Sequence, residues 1–402
     1  MKILLAPVGS EGDVRPILVL ATALREVGHQ VTVCAPPNNY QLFADRGIPF
    51  HPIGSDIQVW AQENAGAVMG HPIRGLKPMI DGLCDLVPQL FSGLLECARG
   101  ADFLIGAGLN LAAHSVAQAL EIPYRHVVHI PQILSSSYHP PAFLPWQSLP
   151  RFMNRLSWRT STLFLDRVFR ATINTYRSNM GLKGIQNVQD FLVSKVIVAM
   201  DKELAPIPPD IKVDYIQTGY WYFSKEEPLD GELARFIEDG SPPIYIGFGS
   251  MTDSSPQKTS RLLAEAVAVL GVRAIIAKGW AGLGQEVCSE NIRMIGHVPH
   301  ASLFPKMAAV IHHGGAGTVY AAARAGVPQV VVPHILDQYY WGNRIHKLGL
   351  GPRPINRSRL TLRSLVSAVH QCLSDLGFKE EAQSLAMKLR ARNGLQEAVA
   401  IF

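Results

Sequence analysis

The sequence predicts an α/β protein made of two similar halves, each built on a parallel sheet. Three observations carry this prediction: short apolar runs alternate with helical periodicity over residues 2–35, the same alternation starts again at residue 243, and a Pro-rich stretch at 206–209 separates the two series. Continuous apolar strands are typical of parallel sheets that are covered on both faces. Two such halves enclose a cleft, and ligands of parallel sheets bind beyond the carboxyl ends of the strands.

In the first half, the spacing predicts a strand at 2–8, a Gly-rich turn at 9–13, a helix at 14–27 and a strand at 30–35. The helix follows from apolar residues spaced three and four apart. Further apolar runs predict the strands 101–107, 124–130 and 196–200, with a helix that ends near residue 120.

The second half repeats the pattern. Its predicted strands are 243–247, 273–277, 292–295, 309–312 and 329–333, and its predicted helices are 257–270, 303–307 and one that ends near 325.

Composition excludes several classes of protein. A chain of 402 residues suggests two or three domains at about 150 residues each. With 48% hydrophobic and 17% charged residues, neither a disordered chain nor a coiled coil is expected. No apolar run is long enough for a membrane span, and the start reads as a strand, so we expect a cytoplasmic protein. Five scattered cysteines without a CxxC pair indicate neither a disulfide framework nor a structural zinc site.

The net charge of +5 has a local origin in residues 145–180, which contain six arginines and one acidic residue, Asp166. Aromatic and aliphatic residues are interleaved with these arginines, among them Trp146, Phe152, Leu156, Trp158, Leu163, Phe164, Leu165, Val168 and Phe169. The segment fits an amphipathic helix whose arginines face water, an anionic membrane surface, or the mouth of a pocket for a hydrophobic substrate. Nucleic-acid binding is not expected, because no motif of a known reader accompanies the basic residues.

The stretch His312–Thr318 lies between a predicted strand and a predicted helix and contains three glycines. Glycines let the backbone approach a ligand, and a helix N-terminus presents free amides and partial positive charge. With the side chains of His313 and Thr318, this stretch could form a cradle for a diphosphate. It has neither a Walker lysine nor the dinucleotide spacing. A tight turn with His313 as a core histidine is the alternative.

Asp337 and Gln338 follow a predicted strand and precede another helix. An Asp-Gln pair at this edge of a sheet can hydrogen-bond several sugar hydroxyls. The alternative is that Asp337 caps the helix, a common role for aspartate.

The motif set resembles the inverting, nucleotide-sugar-dependent glycosyltransferases with two facing Rossmann-like domains, the GT-B fold. The motifs are Gly249-Ser250-Met251, Lys278-Gly279-Trp280, Val298-Pro299-His300, His312–Thr318 and Asp337-Gln338-x-x-Trp341-Gly342. Within this superfamily the chain is most similar to sterol glucosyltransferases and then to antibiotic glycosyltransferases acting on glycopeptides and macrolides. The resemblance is strong over 243–355, good over 1–35 and weak between 36 and 200.

The resemblance implies a domain organisation and a set of site residues. The implied units are an acceptor-binding domain (1–205), a linker (206–220), a nucleotide-sugar-binding domain (221–380) and a helical segment (381–402) that returns to the first domain. Asp13, in a Gly-Ser-x-Gly-Asp-Val-x-Pro motif, is the implied general base, and Asp337 and Gln338 hold the sugar. The implied nucleotide and phosphate residues are Ser10, Gly12, Ser250, Trp280, Val298, His313, Gly315, Ala316, Gly317 and Thr318. The acceptor candidates are His129, Ile133, Tyr138, Phe143 and Trp146.

One position departs from the family pattern. Plant members of the superfamily hold the ribose with a glutamate, and the corresponding position here is Ala321. This leaves both UDP and dTDP donors open.

The resemblance implies transfer of a hexose, with glucose from UDP-glucose expected, to a hydroxyl of a hydrophobic acceptor such as a sterol. No Asp-x-Asp cluster is present, so no metal is expected and helix amides would stabilise the diphosphate. Asp13 as a helix cap, a dTDP-sugar donor with an antibiotic aglycone, and a non-transferring epimerase or silent binding protein are the alternatives. We expect a monomer or weak dimer with peripheral membrane contact at the inner face.

Overall fold

The protein contains two fully parallel sheets, so the predicted α/β class with two parallel-sheet halves is confirmed. The computed structural model describes residues 1–9, 11–69, 75–223, 228–284 and 289–402. Over these residues no helix has the length and apolar character needed to cross a bilayer. Cys34, Cys84, Cys97 and Cys372 are free, and Cys288 lies outside the described residues.

The first sheet has seven strands in the order β3-β2-β1-β4-β5-β6-β7. Its strands are β1 (Lys2–Val8), β2 (Gln30–Ala35), β3 (Phe50–Pro52), β4 (Phe103–Gly108), β5 (Tyr124–Val128), β6 (Lys195–Ala199) and β7 (Asp214–Thr218). The helices of this half are α1 (Glu11–Glu26), α2 (Tyr40–Ala44), α3 (Ile57–Glu63), α4 (Ala65–Met69), α5 (Leu76–Cys97), α6 (Ala113–Ala119), α7 (Arg151–Asn179) and α8 (Val188–Leu192).

Both faces of the first sheet are buried, which explains why its strands have continuous apolar sequences. Successive side chains of β1 alternate between the faces. Leu4 packs in a core that includes Leu90 and Leu94 of α5, whereas Leu5 packs in a second core with Leu20 and Leu24 of α1.

The second sheet has five strands in the order β10-β9-β8-β11-β12. Its strands are β8 (Ile244–Gly247), β9 (Ala274–Ala277), β10 (Ile292–Ile295), β11 (Ala309–His312) and β12 (Gln329–Val331). The helices are α9 (Gly231–Glu238), α10 (Pro256–Leu270), α11 (His300–Leu303), α12 (Ala316–Ala325), α13 (Gln338–Lys347), α14 (Leu362–Ser374), α15 (Leu376–Arg390) and α16 (Gly394–Val399).

An apolar core joins the two halves. It contains Val128, Val198 and Tyr220 from the first half and fully buried Trp341 and Ile345 from α13. The Nε of Arg344 adds a hydrogen bond of 2.7 Å to the carbonyl oxygen of Leu204. Burial of this shared core fixes the two sheets relative to each other.

Several contacts bear on the domain organisation that the resemblance implies. The range 206–220 contains β7, which pairs with β6, so the first sheet extends into the implied linker. Residues 381–390 belong to α15, which packs on α12 and also contributes Leu385 and Leu389 to the shared core. Helix α16 packs on α1 of the first half, and the ring of Phe402 contacts that of Phe103 at 4.9 Å.

Two local differences bear on the site. Helix α1 starts at Glu11 rather than residue 14, so Asp13 belongs to its first turn instead of the predicted turn. Helix α5, with 22 residues, has no counterpart among the predicted elements. Its sequence contains Gly82, Pro88 and Gly93, residues that usually interrupt a helix, and tertiary packing overrides this propensity.

Candidate active site

The strand order of each sheet reverses at one point, and both points open on the same cavity. In the first sheet the reversal lies between β1 and β4, and in the second between β8 and β11. Ligands of doubly wound sheets bind at such switch points. The cavity between them has a volume of about 1130 Å³. A single small-molecule site is typically about 300–1,000 Å³, so this cavity is slightly larger than the usual range.

The first sheet presents Asp13 to the cavity. Asp13 is the third residue of α1, and its carboxylate packs against Gly9 at the end of β1. It therefore occupies the third position of the helix rather than the N-cap position that the predicted alternative assigns to it. Gly12 lines the same wall, whereas Ser10 lies outside the described residues.

His129 follows β5 and lies close enough to Asp13 for the two side chains to interact electrostatically. Burial lowers the pKa of His129, and the negative charge of Asp13 opposes this shift. Both ring nitrogens are buried, and the nearby backbone carbonyls of Asp13 and Ala199 do not meet them at hydrogen-bonding geometry. A neutral imidazole next to a carboxylate thus lies on the first-sheet wall.

The second sheet presents the N-terminus of α12 to the cavity. Gly315 is its N-cap and provides no side-chain cap, so the first-turn amides remain available to a ligand. Ala316, Gly317 and Thr318 form this turn and line the cavity. Such a terminus with its partial positive charge suits a phosphate group.

The imidazole of His313 is fixed between two glycines. A Cβ on Gly249 would come within 2.9 Å of the ring, and one on Gly315 within 2.5 Å of its Nε2, so larger residues do not fit at either position. Burial lowers the pKa of His313 to about 4, which keeps the ring neutral near pH 7. Its Nδ1 is buried without a hydrogen-bond partner. The ring also lines the cavity, unlike an ordinary core histidine.

Asp337 and Gln338 line the cavity at the start of α13. Asp337 is the N-cap residue, yet its side chain makes no capping hydrogen bond, so helix capping does not explain this aspartate. The Oε1 of Gln338 accepts hydrogen bonds from the backbone N–H groups of His334 (2.8 Å) and Ile335 (3.1 Å). Its amide is therefore held in one orientation, with Nε2 donating weakly to the sulfur of Met251 at 3.1 Å.

The pKa of the Asp337 carboxyl is strongly raised. Burial, reinforced by the negative charge of Asp13 from the opposite wall, raises the pKa of Asp337 to about 7. The indole N–H of Trp341 opposes this shift but does not reach the carboxylate at hydrogen-bonding geometry. The carboxylates of Asp13 and Asp337, both site candidates from the sequence, therefore interact electrostatically across the cleft.

The remaining nucleotide candidates also lie at this cavity. Ser250, Trp280 and Val298 line its second-sheet side. Ala321 does not line it and packs instead against the apolar core beneath α12. The structure thus brings together every described nucleotide, sugar and base candidate, whose individual roles stay predictions.

The acceptor candidates are only partly brought together. His129 and Ile133 line the cavity, whereas Tyr138, Phe143 and Trp146 do not. The loop that carries these three folds back on α7, where Trp158 donates a hydrogen bond of 2.9 Å to the carbonyl oxygen of His139. This packing holds the loop away from the cavity.

Sequence reasoning missed the acceptor-side walls of the cavity, which come from α3, α4 and α5. Their apolar lining residues are Ile57, Trp60, Val68, Met79, Leu83 and Leu86. The period-3.6 spacing of apolar residues in 76–97 is a signal that could have identified α5. Over the described residues no group of three or more His, Cys, Asp or Glu side chains is arranged to hold a metal ion.

Two family models match the chain, one in each half. Residues 3–134 match the glycosyltransferase family 28 N-terminal domain, and residues 260–401 match the erythromycin biosynthesis protein CIII-like C-terminal domain. The first range contains both strands of the first switch point, and the second contains β11 and α12 of the second switch point but not β8.

Relatives of two kinds are similar over most of the chain. The vancomycin aglycone glucosyltransferase of Amycolatopsis orientalis is 34% identical over 361 residues, which cover 87% of this chain and 85% of that protein. The sterol 3-beta-glucosyltransferase UGT80B1 of Arabidopsis thaliana is 30% identical over 432 residues, which cover all of this chain and 68% of that protein.

Solved structures share the fold at low sequence identity. The glycosyltransferase of kitacinnamycin superposes with a TM-score of 0.73 at 18% identity, covering 100% of this chain and 97% of that one. The glycosyltransferase VinC in complex with dTDP superposes with a TM-score of 0.70 at 19% identity, covering 100% and 98%.

We predict that Asp337→Asn stabilises the protein more at pH 8 than at pH 5. A carboxyl whose pKa is raised in the folded state favours folding below its unfolded pKa near 3.9, and this advantage is lost as the pH rises through about 7. Each unit by which folding raises the pKa of this carboxyl lowers the free energy of unfolding by about 1.4 kcal/mol at a pH above both pKa values. Asparagine does not ionise, so the variant avoids this loss of stability. The measurement is thermal unfolding of both proteins across this range.

Asp253→Asn is the matched control, because Asp253 has the opposite shift. Burial would raise its pKa, but hydrogen bonds from Thr259, Ser255 and Arg357 outweigh burial and lower it. This variant should lose stability near pH 7 and recover relative to the native protein in acid. If the difference in stability between Asp337→Asn and the native protein does not change with pH, the pKa of Asp337 is not raised by folding and the prediction is contradicted.

Proposed function

The chain belongs to the family 28-type glycosyltransferases with the GT-B fold, and we propose that it is an inverting enzyme that transfers glucose from UDP-glucose to a hydroxyl of a hydrophobic acceptor. The observation that carries this proposal is the placement of Asp13 and the N-terminus of α12 on opposite walls of one cavity. A base on one side and a diphosphate cradle on the other are what an in-line displacement at a sugar carbon requires.

In the proposed reaction, the acceptor oxygen attacks the anomeric carbon of the donor sugar. Asp13 accepts the proton of that hydroxyl as the new carbon–oxygen bond forms. The bond between the anomeric carbon and the diphosphate oxygen breaks on the opposite side. A carboxylate is a weak base, but positioned acid–base catalysis still contributes about 10²–10⁴-fold. Attack opposite the leaving group inverts the configuration.

Negative charge develops on the leaving diphosphate, and fixed dipoles of the second half stabilise that charge. The amides of Ala316, Gly317 and Thr318 and the neutral ring of His313 are the proposed donors. Because these groups are already oriented, they need little reorganisation when charge develops, and such preorganisation is usually the largest electrostatic term in catalysis. The proposed cradle operates without a metal ion.

Asp337 and Gln338 are the proposed sugar-binding pair. Asp337 can accept hydrogen bonds from sugar hydroxyls once ionised, and the fixed Gln338 amide offers its Nε2 group, whose present contact is a weak one to sulfur. Burial beside the charge of Asp13 raises the pKa of Asp337 to about 7. Hydrogen bonds donated by sugar hydroxyls would favour its charged form.

The acceptor we propose is a rigid, mostly apolar molecule with one exposed hydroxyl, such as a sterol. The aromatic and aliphatic walls supplied by α3, α4 and α5 support this class over a large polar peptide. The sterol 3-beta-glucosyltransferase relative is similar over the whole of this chain. The glycopeptide glycosyltransferase relatives support a competing pair of substrates, in which the acceptor is a soluble antibiotic aglycone and the donor is a dTDP-sugar.

We further propose that helix α7 contacts an anionic membrane surface. Its side chains Phe152, Leu156 and Leu163 are 68%, 59% and 61% exposed, and they project on one side of the helix. Arginines flank this face, and the one acidic residue of the segment, Asp166, accepts a hydrogen bond from the backbone of Val188 at 2.8 Å. Exposed apolar residues bordered by arginines suit a bilayer interface.

We predict that Asp13→Asn nearly abolishes transfer while nucleoside diphosphate affinity stays within a few-fold, because asparagine retains the shape but cannot accept the proton. The measurements are product formation by mass spectrometry and nucleotide binding by calorimetry. Glu26→Gln, at the exposed far end of α1, is the control. If Asp13→Asn keeps most of the activity, the base lies elsewhere, and His129 is the next residue to replace.

We predict that His313→Ala weakens nucleoside diphosphate binding by about 1.5–3 kcal/mol, the typical contribution of a hydrogen bond to a charged group. Chelators should leave turnover of the native enzyme intact. Inhibition by a chelator that magnesium or manganese reverses would contradict the metal-free cradle.

We predict weak, salt-sensitive binding to anionic vesicles that is lost in Arg151/Arg155/Arg159→Gln. Each arginine near such a surface contributes about 1 kcal/mol. Co-sedimentation with anionic and neutral vesicles is the measurement, and Arg25/Arg99/Arg363→Gln removes the same charge from exposed positions outside α7. Equal binding of the two triple variants, or no binding by the native protein, would refute the membrane contact without affecting the transferase proposal.

A further inference from the structure

The guanidinium of Arg15 reaches across the cleft from the first half to the second. Arg15 lies two residues after Asp13 on α1, and both line the cavity. Its Nη2 donates a hydrogen bond of 2.7 Å to Nε2 of His297, which follows β10 of the second sheet. A cation of the acceptor-side sheet is therefore held against the wall that carries the nucleotide candidates.

The surroundings of Arg15 place its charge close to the diphosphate cradle. Tyr220 feels the positive charge of Arg15, and its hydroxyl lies 2.9 Å from where a Cβ of Gly317 would be, in the first turn of α12. His300 lies within electrostatic range of both Arg15 and the ring of His313. The groups that border the cradle on two sides are thus within electrostatic range of the guanidinium.

We propose that Arg15 is a donor-binding residue whose guanidinium contacts the diphosphate of the nucleotide sugar, an inference that rests on the proposed function. In the structure Nη2 of Arg15 donates to Nε2 of His297. A phosphate oxygen carries a negative charge that this imidazole nitrogen lacks, and a guanidinium can meet a phosphate group with two parallel N–H groups. On donor binding the guanidinium therefore exchanges the imidazole for the diphosphate.

This exchange gives the first half a direct part in donor recognition. The amides of α12 and the ring of His313 approach the diphosphate from the second sheet, and Arg15 approaches from the first. The donor then joins the two walls of the cleft, and Asp13, on the same helix turn as Arg15, is held against the reacting sugar. Arg15 also adds a full charge to a cradle otherwise made of dipoles.

The test compares nucleotides that differ only in their phosphates. Calorimetry measures the affinities of UDP, UMP and uridine, and of the thymidine series, for the native protein, Arg15→Met and Arg15→Lys. We expect Arg15→Met to weaken UDP binding by roughly 10- to 100-fold, the value of a hydrogen bond to a charged group, and to leave uridine binding unchanged. Arg15→Lys, which keeps the charge, should recover part of the loss.

Two control variants separate phosphate binding from a structural role. Arg25→Met removes the same charge from the far end of α1, where Arg25 donates to the carbonyl oxygens of Arg46 and Gly47, and should leave all affinities unchanged. His297→Ala removes the present partner of Arg15 and should leave the ratio of UDP to uridine affinity unchanged or raised. Thermal unfolding of each variant confirms that it is folded.

The possible outcomes are distinct. If Arg15→Met leaves the ratio of UDP to uridine affinity unchanged, the proposal is overturned. It is also overturned if His297→Ala lowers this ratio as much as Arg15→Met does, because the pair would then act only as a bridge between the halves. If the native protein binds neither UDP nor dTDP, the proposed function itself fails.

Discussion

The apolar core shared by the two halves holds the two sheet edges face to face, and the geometry of the cavity depends on it. Tyr220 and Val198 of the first half pack in this core with Trp341 and Ile345 of α13. Since α13 also begins with Asp337 and Gln338, the same helix that joins the halves places the proposed sugar-binding pair. The return of α16 to α1 ties the chain end to the helix that carries Asp13. Packing of this core thus sets the distance between Asp13 and the N-terminus of α12.

Within the cleft, the charges are arranged to receive a polar, anionic ligand. Asp13 and Asp337 face each other from opposite halves, and burial together with the negative charge of Asp13 raises the pKa of Asp337. Burial lowers the pKa values of His312, His313 and His334, which keeps these three rings neutral near pH 7, so they contribute dipoles rather than charges to the second half of the cleft. A sugar between the carboxylates would supply hydroxyl donors to both of them, and a diphosphate at α12 would supply the negative charge that the dipoles favour. The unfavourable pairing of the two carboxylates is a local source of instability that substrate binding would relieve.

The parallel sheets and the donor side could be predicted from the sequence, because their signals are local. Strands 2–8 and 309–312 are continuous apolar runs, and the glycines of His312–Thr318 mark a backbone that approaches a ligand. The acceptor side could not be predicted in the same way. Helix α5 contains two prolines and two glycines, and its burial against the sheet stabilises it as a helix. The aromatic residues at 138–146 suggested that they line an acceptor pocket. In the structure a hydrogen bond from Trp158 to His139 holds their loop against α7 instead. The bridge from Arg15 to His297 joins residues 282 positions apart, which local patterns do not reveal.

The anomeric configuration of the product tests the central claim most directly, because the claim is that base and leaving group lie on opposite sides of the sugar. An α-linked nucleotide sugar is incubated with the enzyme and a hydroxylated polycyclic acceptor, and the anomeric coupling constant of the isolated glycoside is measured by NMR. The geometry of Asp13 and α12 predicts a β-glycoside. An α-glycoside would contradict it, since retention requires attack from the side on which the diphosphate leaves.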